Sequence, residues 1–164
     1  MNIYLIGMMG VGKSTIGNIL SKKLEMPFID LDHEIEKSAG SSIGKIFRSH
    51  GEEFFRNLES IALKNYFNSV ISCGGGIILS KQNRSFIKKN GKSVLLMATI
   101  DELIKRLSKS NNRPILRRGS SEDILHELWE GRKNLYKQTA DFSVETENKT
   151  PIQIVEEINI HLRL

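Results

Sequence analysis

Short apolar runs and longer amphipathic stretches alternate along the chain. Runs of strand length occur at Ile3–Ile6, Phe28–Ile29, Val70–Ser72, Ser93–Met97 and Phe142–Val144. Helical spacing fills the intervals near Lys13–Leu24, Glu52–Phe67, Gln82–Lys89, Asp101–Leu107 and Ile124–Tyr136. In the first of these, Ile16, Ile19, Leu20 and Leu24 recur on one face. A last helix is expected to start at Thr150-Pro151, a capping residue followed by a proline suited to the first helical position. Ile152, Val155, Ile158 and Leu162 would form its buried stripe. Strands alternating with helices predict an α/β fold, a parallel sheet with helices on both faces.

One region departs from this pattern. Ser108–Ser121 reads SKSNNRPILRRGSS, polar, basic and turn-rich. A loop of that length in a compact domain is expected to serve as a lid or binding loop rather than a plain connector. No repeat, low-complexity tract or linker divides the 164 residues, so one domain spanning 1–164 is expected.

Composition narrows the classes. Hydrophobic residues at 39% and charged residues at 26% are values of a globular protein, and no apolar stretch approaches membrane-spanning length. A strand-like run begins within two residues of Met1, so no leader peptide is expected. With Cys73 as the single cysteine, a cytoplasmic protein is expected. The formal charge of +5 and pI near 9.4 suit either a solvated basic surface or a site for anionic substrates. The basic residues are scattered, and no zinc spacing, RNA-binding aromatic motif or helix-turn-helix accompanies them, so nucleic acid is not the expected partner. His50, His126 and His161 lack metal-ligand spacing, and Trp129 falls on a helix where it reads as core.

The stretch GMMGVGKST, Gly7 to Thr15, fits the phosphate-binding loop G-x-x-x-x-G-K-[ST] and lies between a strand and an amphipathic helix, the context the motif needs. Glycines let Gly10, Val11, Gly12, Lys13, Ser14 and Thr15 wrap a nucleotide's phosphates. The helix N-terminus faces the same anion. Lys13 can reach the β- and γ-phosphates, and the Ser14 hydroxyl can ligate Mg²⁺. The side chains of Met8 and Met9 are expected to pack away from the phosphates.

A phosphate-binding loop does not separate kinase from switch or ATPase. The guanine-specific N-K-x-D motif is absent, since Asn148-Lys149 is followed by Thr150-Pro151. The third strand ends in Ser72-Cys73-Gly74-Gly75-Gly76 with no metal-binding aspartate. The nearest carboxylates are Asp30 and Asp32, at the carboxyl end of the second strand, where ligands of parallel sheets bind. Strand alternation would point both the same way, one toward a metal and one toward an acceptor hydroxyl. Asp32 could also cap the following helix.

The segments GMMGVGKST, DLD, GEEFFRNLE, CGGG, NRPIL and RKNLY, in this order and at these intervals, resemble the shikimate kinases over nearly the whole chain. The resemblance implies a three-layer P-loop kinase fold: a five-stranded parallel sheet, helices on both faces and a lid loop near 108–121. It implies transfer of the ATP γ-phosphoryl group to the 3-hydroxyl of shikimate, with Mg²⁺, by a monomer. Arg56 and Arg132 match the family's two carboxylate-binding arginines, and a planar guanidinium fork suits that task. Glu59, three residues past Arg56, would hold its guanidinium. Gly74, Gly75 and Gly76 would bring backbone N–H groups close to the acceptor, with Phe47 and Phe55 as apolar walls. Asp32 would contact the hydroxyl that receives the phosphate, and Asp30 would hold Mg²⁺ through water beside Ser14. Lys13 and Arg113 would offset charge on the transferred group.

Three residues depart from the family's usual pattern. Cys73 stands where threonine is common, Lys149 where an arginine often flanks the adenine, and His33 where many relatives carry a small or apolar residue. Lys149 lacks the planar group that stacks on a base. Two other functions remain as alternatives, a related kinase for an acceptor such as gluconate and a nucleotide-dependent switch.

Overall fold

A computed structural model of the chain describes residues 1–109 and 121–162. In chain order the elements are β1 (Asn2–Ile6), α1 (Lys13–Lys23), β2 (Phe28–Asp30), α2 (Leu31–Ala39), α3 (Ile43–Ala62) and β3 (Val70–Ser72). A 3-10 turn at Ile77–Leu79 leads into α4 (Lys81–Asn90), β4 (Gly91–Met97), α5 (Ile100–Ser108), α6 (Ser121–Thr139), β5 (Phe142–Glu145) and α7 (Pro151–Leu162).

All strand pairs are parallel, in the order β2-β3-β1-β4-β5. Every residue of β1 and β3 is buried, whichever way its side chain points. A strand buried on both parities lies in a sheet covered on both faces. α1 packs against α7, β1 and β3, while α4 and α6 form a second group that reaches β4. The core between them holds Tyr4, Leu5, Ile6, Leu20, Ile71 and Ile87. The fold is the expected α/β one, with five strands.

The strand order decides where chemistry can occur. β1 is central, and the loop after it begins the phosphate-binding motif. β3 lies beside it and runs directly into the three glycines. Register pairs Ser72 with Leu5 on one side and Asp30 on the other, so three chain segments emerge together at one edge of the sheet. Among the described residues, no helix is long and apolar enough to cross a membrane.

Several local expectations need correction. β2 ends at Asp30 and α2 begins at Leu31, so Asp32 lies in the first turn of a helix and strand alternation does not relate it to Asp30. The cap of α2 is Asp30, whose Oδ1 accepts the His33 N–H at 3.3 Å. α3 begins at Ile43 rather than near Glu52, because Ser42 caps it and Ile43, Ile46 and Phe47 extend the apolar face. Gly51, at φ 82° and ψ 175°, breaks it into two helical pieces, and it ends at Ala62 rather than near Phe67. In α7, Ile152 is 65% exposed, and Ile154 takes its place in the stripe with Val155 and Ile158. Of the expected lid, Ser108 ends α5 and Ser121 opens α6; residues 110–120, Arg113 among them, lie outside the described residues.

Candidate active site

The phosphate-binding loop is built around left-handed glycines. Gly7, Gly10 and Gly12 have φ of 141°, 80° and 101°, values that a residue with a Cβ rarely adopts. Gly12 is the N-cap of α1 and supplies no side-chain bond, so the first N–H groups of that helix are left to an anion. Lys13 lies back across the loop, its Nζ donating to the carbonyls of Gly7 at 2.8 Å and Met8 at 2.9 Å. Met8 and Met9 are buried in the core, as expected.

The oxygen ligands expected for a metal meet beside the loop. Ser14 Oγ donates to Asp30 Oδ2 at 2.5 Å and lies 3.3 Å from Ser72 Oγ. Two hydroxyls and a carboxylate are hard oxygen donors of the kind Mg²⁺ prefers, and one or two such ligands suffice when phosphates supply others. The set therefore fits a nucleotide-bound Mg²⁺. Asp30 serves twice, since its other oxygen caps α2.

On the far side of the glycines a second group of side chains converges. A Cβ on Gly74 would lie 2.5 Å from Glu59 Oε1 and 3.0 Å from Asp32 Oδ1. A Cβ on Gly76 would collide with the Arg56 guanidinium. Gly75 faces Arg132 and Tyr136, and a Cβ there would lie 3.6 Å from the Gly7 carbonyl. Gly74 to Gly76 are thus a floor touched by Asp32, Glu59, Arg56 and Arg132, with the phosphate-binding loop alongside. A side chain at Gly74 or Gly76 would push Glu59, Asp32 or Arg56 out of place, whereas a Cβ at Gly75 would meet only ordinary contacts.

The charges in this pocket are interlocked. Arg56 Nη1 donates to Glu59 Oε2 at 2.9 Å, while its Nε and Nη2 donate to Glu52 at 3.2 and 3.1 Å. Phe55 is buried, Phe47 packs on it with ring centroids 4.8 Å apart, and the Arg56 guanidinium stands 5.2 Å over the Phe55 ring. Arg132 Nη1 donates to the Gly75 carbonyl at 3.3 Å. Burial pushes the Glu59 carboxyl above the ordinary range, opposed by Arg56 and Arg132 and reinforced by Asp32. Burial also opposes the Arg56 charge, but Glu59 and Glu52 more than offset it and raise the guanidinium above its ordinary value. The Arg56–Glu59 pair is therefore not a surface ion pair, since Glu59 is 1% exposed. Glu59 Oε1, turned toward Gly74, is buried with no hydrogen-bond partner among the described residues.

The model of the shikimate kinase family matches residues 9–163. The chain belongs to the shikimate kinase family. It is 42% identical over 160 residues to the shikimate kinase of Persephonella marina, covering 96% of each chain. Its fold superposes with a TM-score of 0.94 on the shikimate kinase of Acinetobacter baumannii in complex with shikimate, at 35% identity over 98% of this chain and 92% of that one. The shikimate kinase of Aquifex aeolicus is 40% identical, with a TM-score of 0.86 over 99% of this chain and 96% of that one.

Within this member of the shikimate kinase family, the described side chains of both expected subsites meet at one edge of the sheet. Lys149 is on the β5–α7 connection, paired with Glu157 at 2.6 Å. His33 is exposed, and its backbone N–H serves the α2 cap. Cys73 is buried, and burial pushes its thiol well above the ordinary range. Trp129 packs against the core, as expected.

Three residues near the site escaped the sequence reading. Ser72 looks like an ordinary strand end until register sets it opposite Asp30. Tyr136 looks like a core residue, yet its hydroxyl donates to the Gly75 carbonyl at 2.5 Å. Arg106 ties the phosphate-binding loop to the β5–α7 connection, donating to the carbonyl of Val11 at 3.2 Å and to Thr146 Oγ1 at 3.1 Å. Its only local signal is the helical pair with Glu102, four residues earlier.

Proposed function

We propose that the chain is an ATP-dependent kinase that transfers the γ-phosphoryl group of ATP to the 3-hydroxyl of shikimate, giving shikimate 3-phosphate and ADP. The observation that carries this reading is the convergence of Arg56, Arg132, Glu59 and Asp32 on Gly74–Gly76, next to the phosphate-binding loop. Two guanidinium groups beside a close-packed glycine floor suit a compact cyclic carboxylate better than gluconate, an open chain. Membership of the shikimate kinase family and the likeness to a relative in complex with shikimate support the same acceptor.

In this reading Arg56 and Arg132 bind the acceptor carboxylate, and Glu59 holds Arg56 in orientation. Phe47 and Phe55 support the pocket wall. Asp32 orients the 3-hydroxyl and takes its proton as the new P–O bond forms and the bond to the ADP oxygen breaks. The turn Gly10 to Thr15 binds the ATP phosphates, and Lys149 borders the adenine side. Lys13 leaves the carbonyls of Gly7 and Met8 for the phosphoryl oxygens. Arg113, outside the described residues, joins it in offsetting the charge on the transferred group. Ser14 and Asp30 hold Mg²⁺, which offsets phosphate charge when bound. Catalysis then rests mainly on positioning and charge, as phosphoryl transfer generally does.

We take the chain to work as one domain and as a cytoplasmic monomer with no nucleic-acid partner. The single buried cysteine and the scattered basic residues support this. The test is the product. Phosphorus and proton NMR of a reaction with Mg·ATP and shikimate should place the new phosphoryl group on the 3-hydroxyl. A phosphoryl group on another oxygen, or none, overturns the assignment.

A further inference from the structure

Two donors from α6 meet on one backbone oxygen. Tyr136 Oη donates to the Gly75 carbonyl at 2.5 Å, and Arg132 Nη1 donates to the same oxygen at 3.3 Å. The two residues are four apart on α6 and so share a helix face. Tyr136 is fully buried, and none of the acceptor contacts described above uses it. Burial pushes its phenol up to about 12, which keeps it a donor throughout the neutral range. The Gly75–Gly76 peptide is planar, so holding the Gly75 carbonyl toward α6 fixes the Gly76 N–H to point the other way. Gly76 is the residue packed against Arg56.

We infer that Tyr136 is a positioning residue for acceptor binding: its phenol holds the Gly75 carbonyl and, through that shared oxygen, aligns the Arg132 fork for the acceptor carboxylate. The inference rests on the shikimate reading proposed above. With the phenol removed, Arg132 is left as the carbonyl's side-chain donor among the described residues. The carbonyl then draws Arg132 back from the acceptor, and the peptide plane loses its stronger anchor.

The test compares the full chain with Tyr136→Phe, Arg132→Lys and the double variant. It reads KM for shikimate and for Mg·ATP, together with shikimate binding through the fluorescence of Trp129. That residue is the only tryptophan, and it stacks on Tyr136 with centroids 6.3 Å apart. Tyr136→Phe keeps the ring and this stacking. It is expected to raise the shikimate KM and dissociation constant about two- to tenfold, the effect of one hydrogen bond, with little change in the KM for Mg·ATP. In the Arg132→Lys background the same change should fall below about twofold, because the fork it aligns is gone.

An unchanged shikimate constant, an equal rise in both KM values, or the same loss in both backgrounds overturns the inference. A Tyr136→Phe chain that does not fold also overturns it, since the phenol is then a structural bond only. If the unsubstituted chain shows no shikimate-dependent turnover, the acceptor reading itself fails and this inference falls with it. If only the variants disagree, the acceptor reading stands.

Discussion

Arg56 donates to Glu59 Oε2 at 2.9 Å from one turn earlier on α3, and the other Glu59 oxygen is buried beside Gly74 with no hydrogen-bond partner among the described residues. A carboxylate so placed is costly when charged, and its pKa lies above the ordinary value of 4.5, raised by burial and by Asp32 and lowered only in part by the arginines. The sign for stability follows. The unfolded chain ionises Glu59 near its ordinary value, while the folded chain holds the proton to higher pH. Stability from this group is therefore present at low pH and is lost as pH rises through the raised folded value. Glu59→Gln lacks this dependence. Urea unfolding across the mildly acidic range should show the unsubstituted chain losing stability relative to Glu59→Gln as pH rises, then running parallel above that window. The opposite slope would contradict the burial-dominated environment.

Arg132 is half-buried beside the glycine floor, where its Nη1 donates to the Gly75 carbonyl at 3.3 Å. Arg132→Ala should raise the KM for shikimate about ten- to a hundredfold, the range for a charged hydrogen bond, and leave the KM for Mg·ATP nearly unchanged. Steady-state kinetics with each substrate varied in turn checks this. An unchanged shikimate KM would remove Arg132 from the acceptor pocket.

Lys13 is held by loop carbonyls and must change partners to serve the phosphates. Lys13→Met should lower kcat about a hundred- to a thousandfold, the scale of a lost charge-stabilising donor. Thermal unfolding should change little. A variant with near-normal turnover would exclude Lys13 from charge stabilisation.

Asp30 joins a helix cap to the Ser14 hydroxyl, and the two roles can be separated. Asparagine caps helices about as well as aspartate but carries no charge. Asp30→Asn should therefore unfold within about 0.5 kcal/mol of the unsubstituted chain. Its half-saturating Mg²⁺ concentration in the kinase assay should rise about tenfold or more, on the scale of a lost charged contact. Chelation should abolish turnover in both chains, and added Mg²⁺ should restore it. A large stability loss with an unchanged metal requirement would leave Asp30 as a cap alone.

The strands and most helices are legible because hydrophobic spacing repeats locally, and the phosphate-binding loop is legible because its residues are contiguous. Boundaries failed where a cap or a glycine outweighed periodicity. Asp30 ends β2 one residue before a helix, so Asp32 could not be placed by alternation. Gly51 hides the first half of α3 behind a break in spacing. Arg56, Glu59, Arg132 and the triple glycine were found because the family motif names them, not because spacing brings them together. Ser72 and Arg106 lie outside the quoted family segments, and Tyr136, though it ends RKNLY, is assigned no role there. Their roles depend on register and on contacts between elements far apart in sequence, such as Tyr136 and Gly75, separated by 61 positions.

The central claim is that this phosphate-binding loop serves shikimate. Release of ADP from Mg·ATP by the purified chain tests it most directly, with shikimate, gluconate, AMP and no acceptor run in parallel. Strong stimulation by shikimate alone is the expected result. Stimulation by gluconate or AMP instead would contradict the acceptor assignment while keeping the kinase, and ATP binding without stimulation by any acceptor would point to a nucleotide switch.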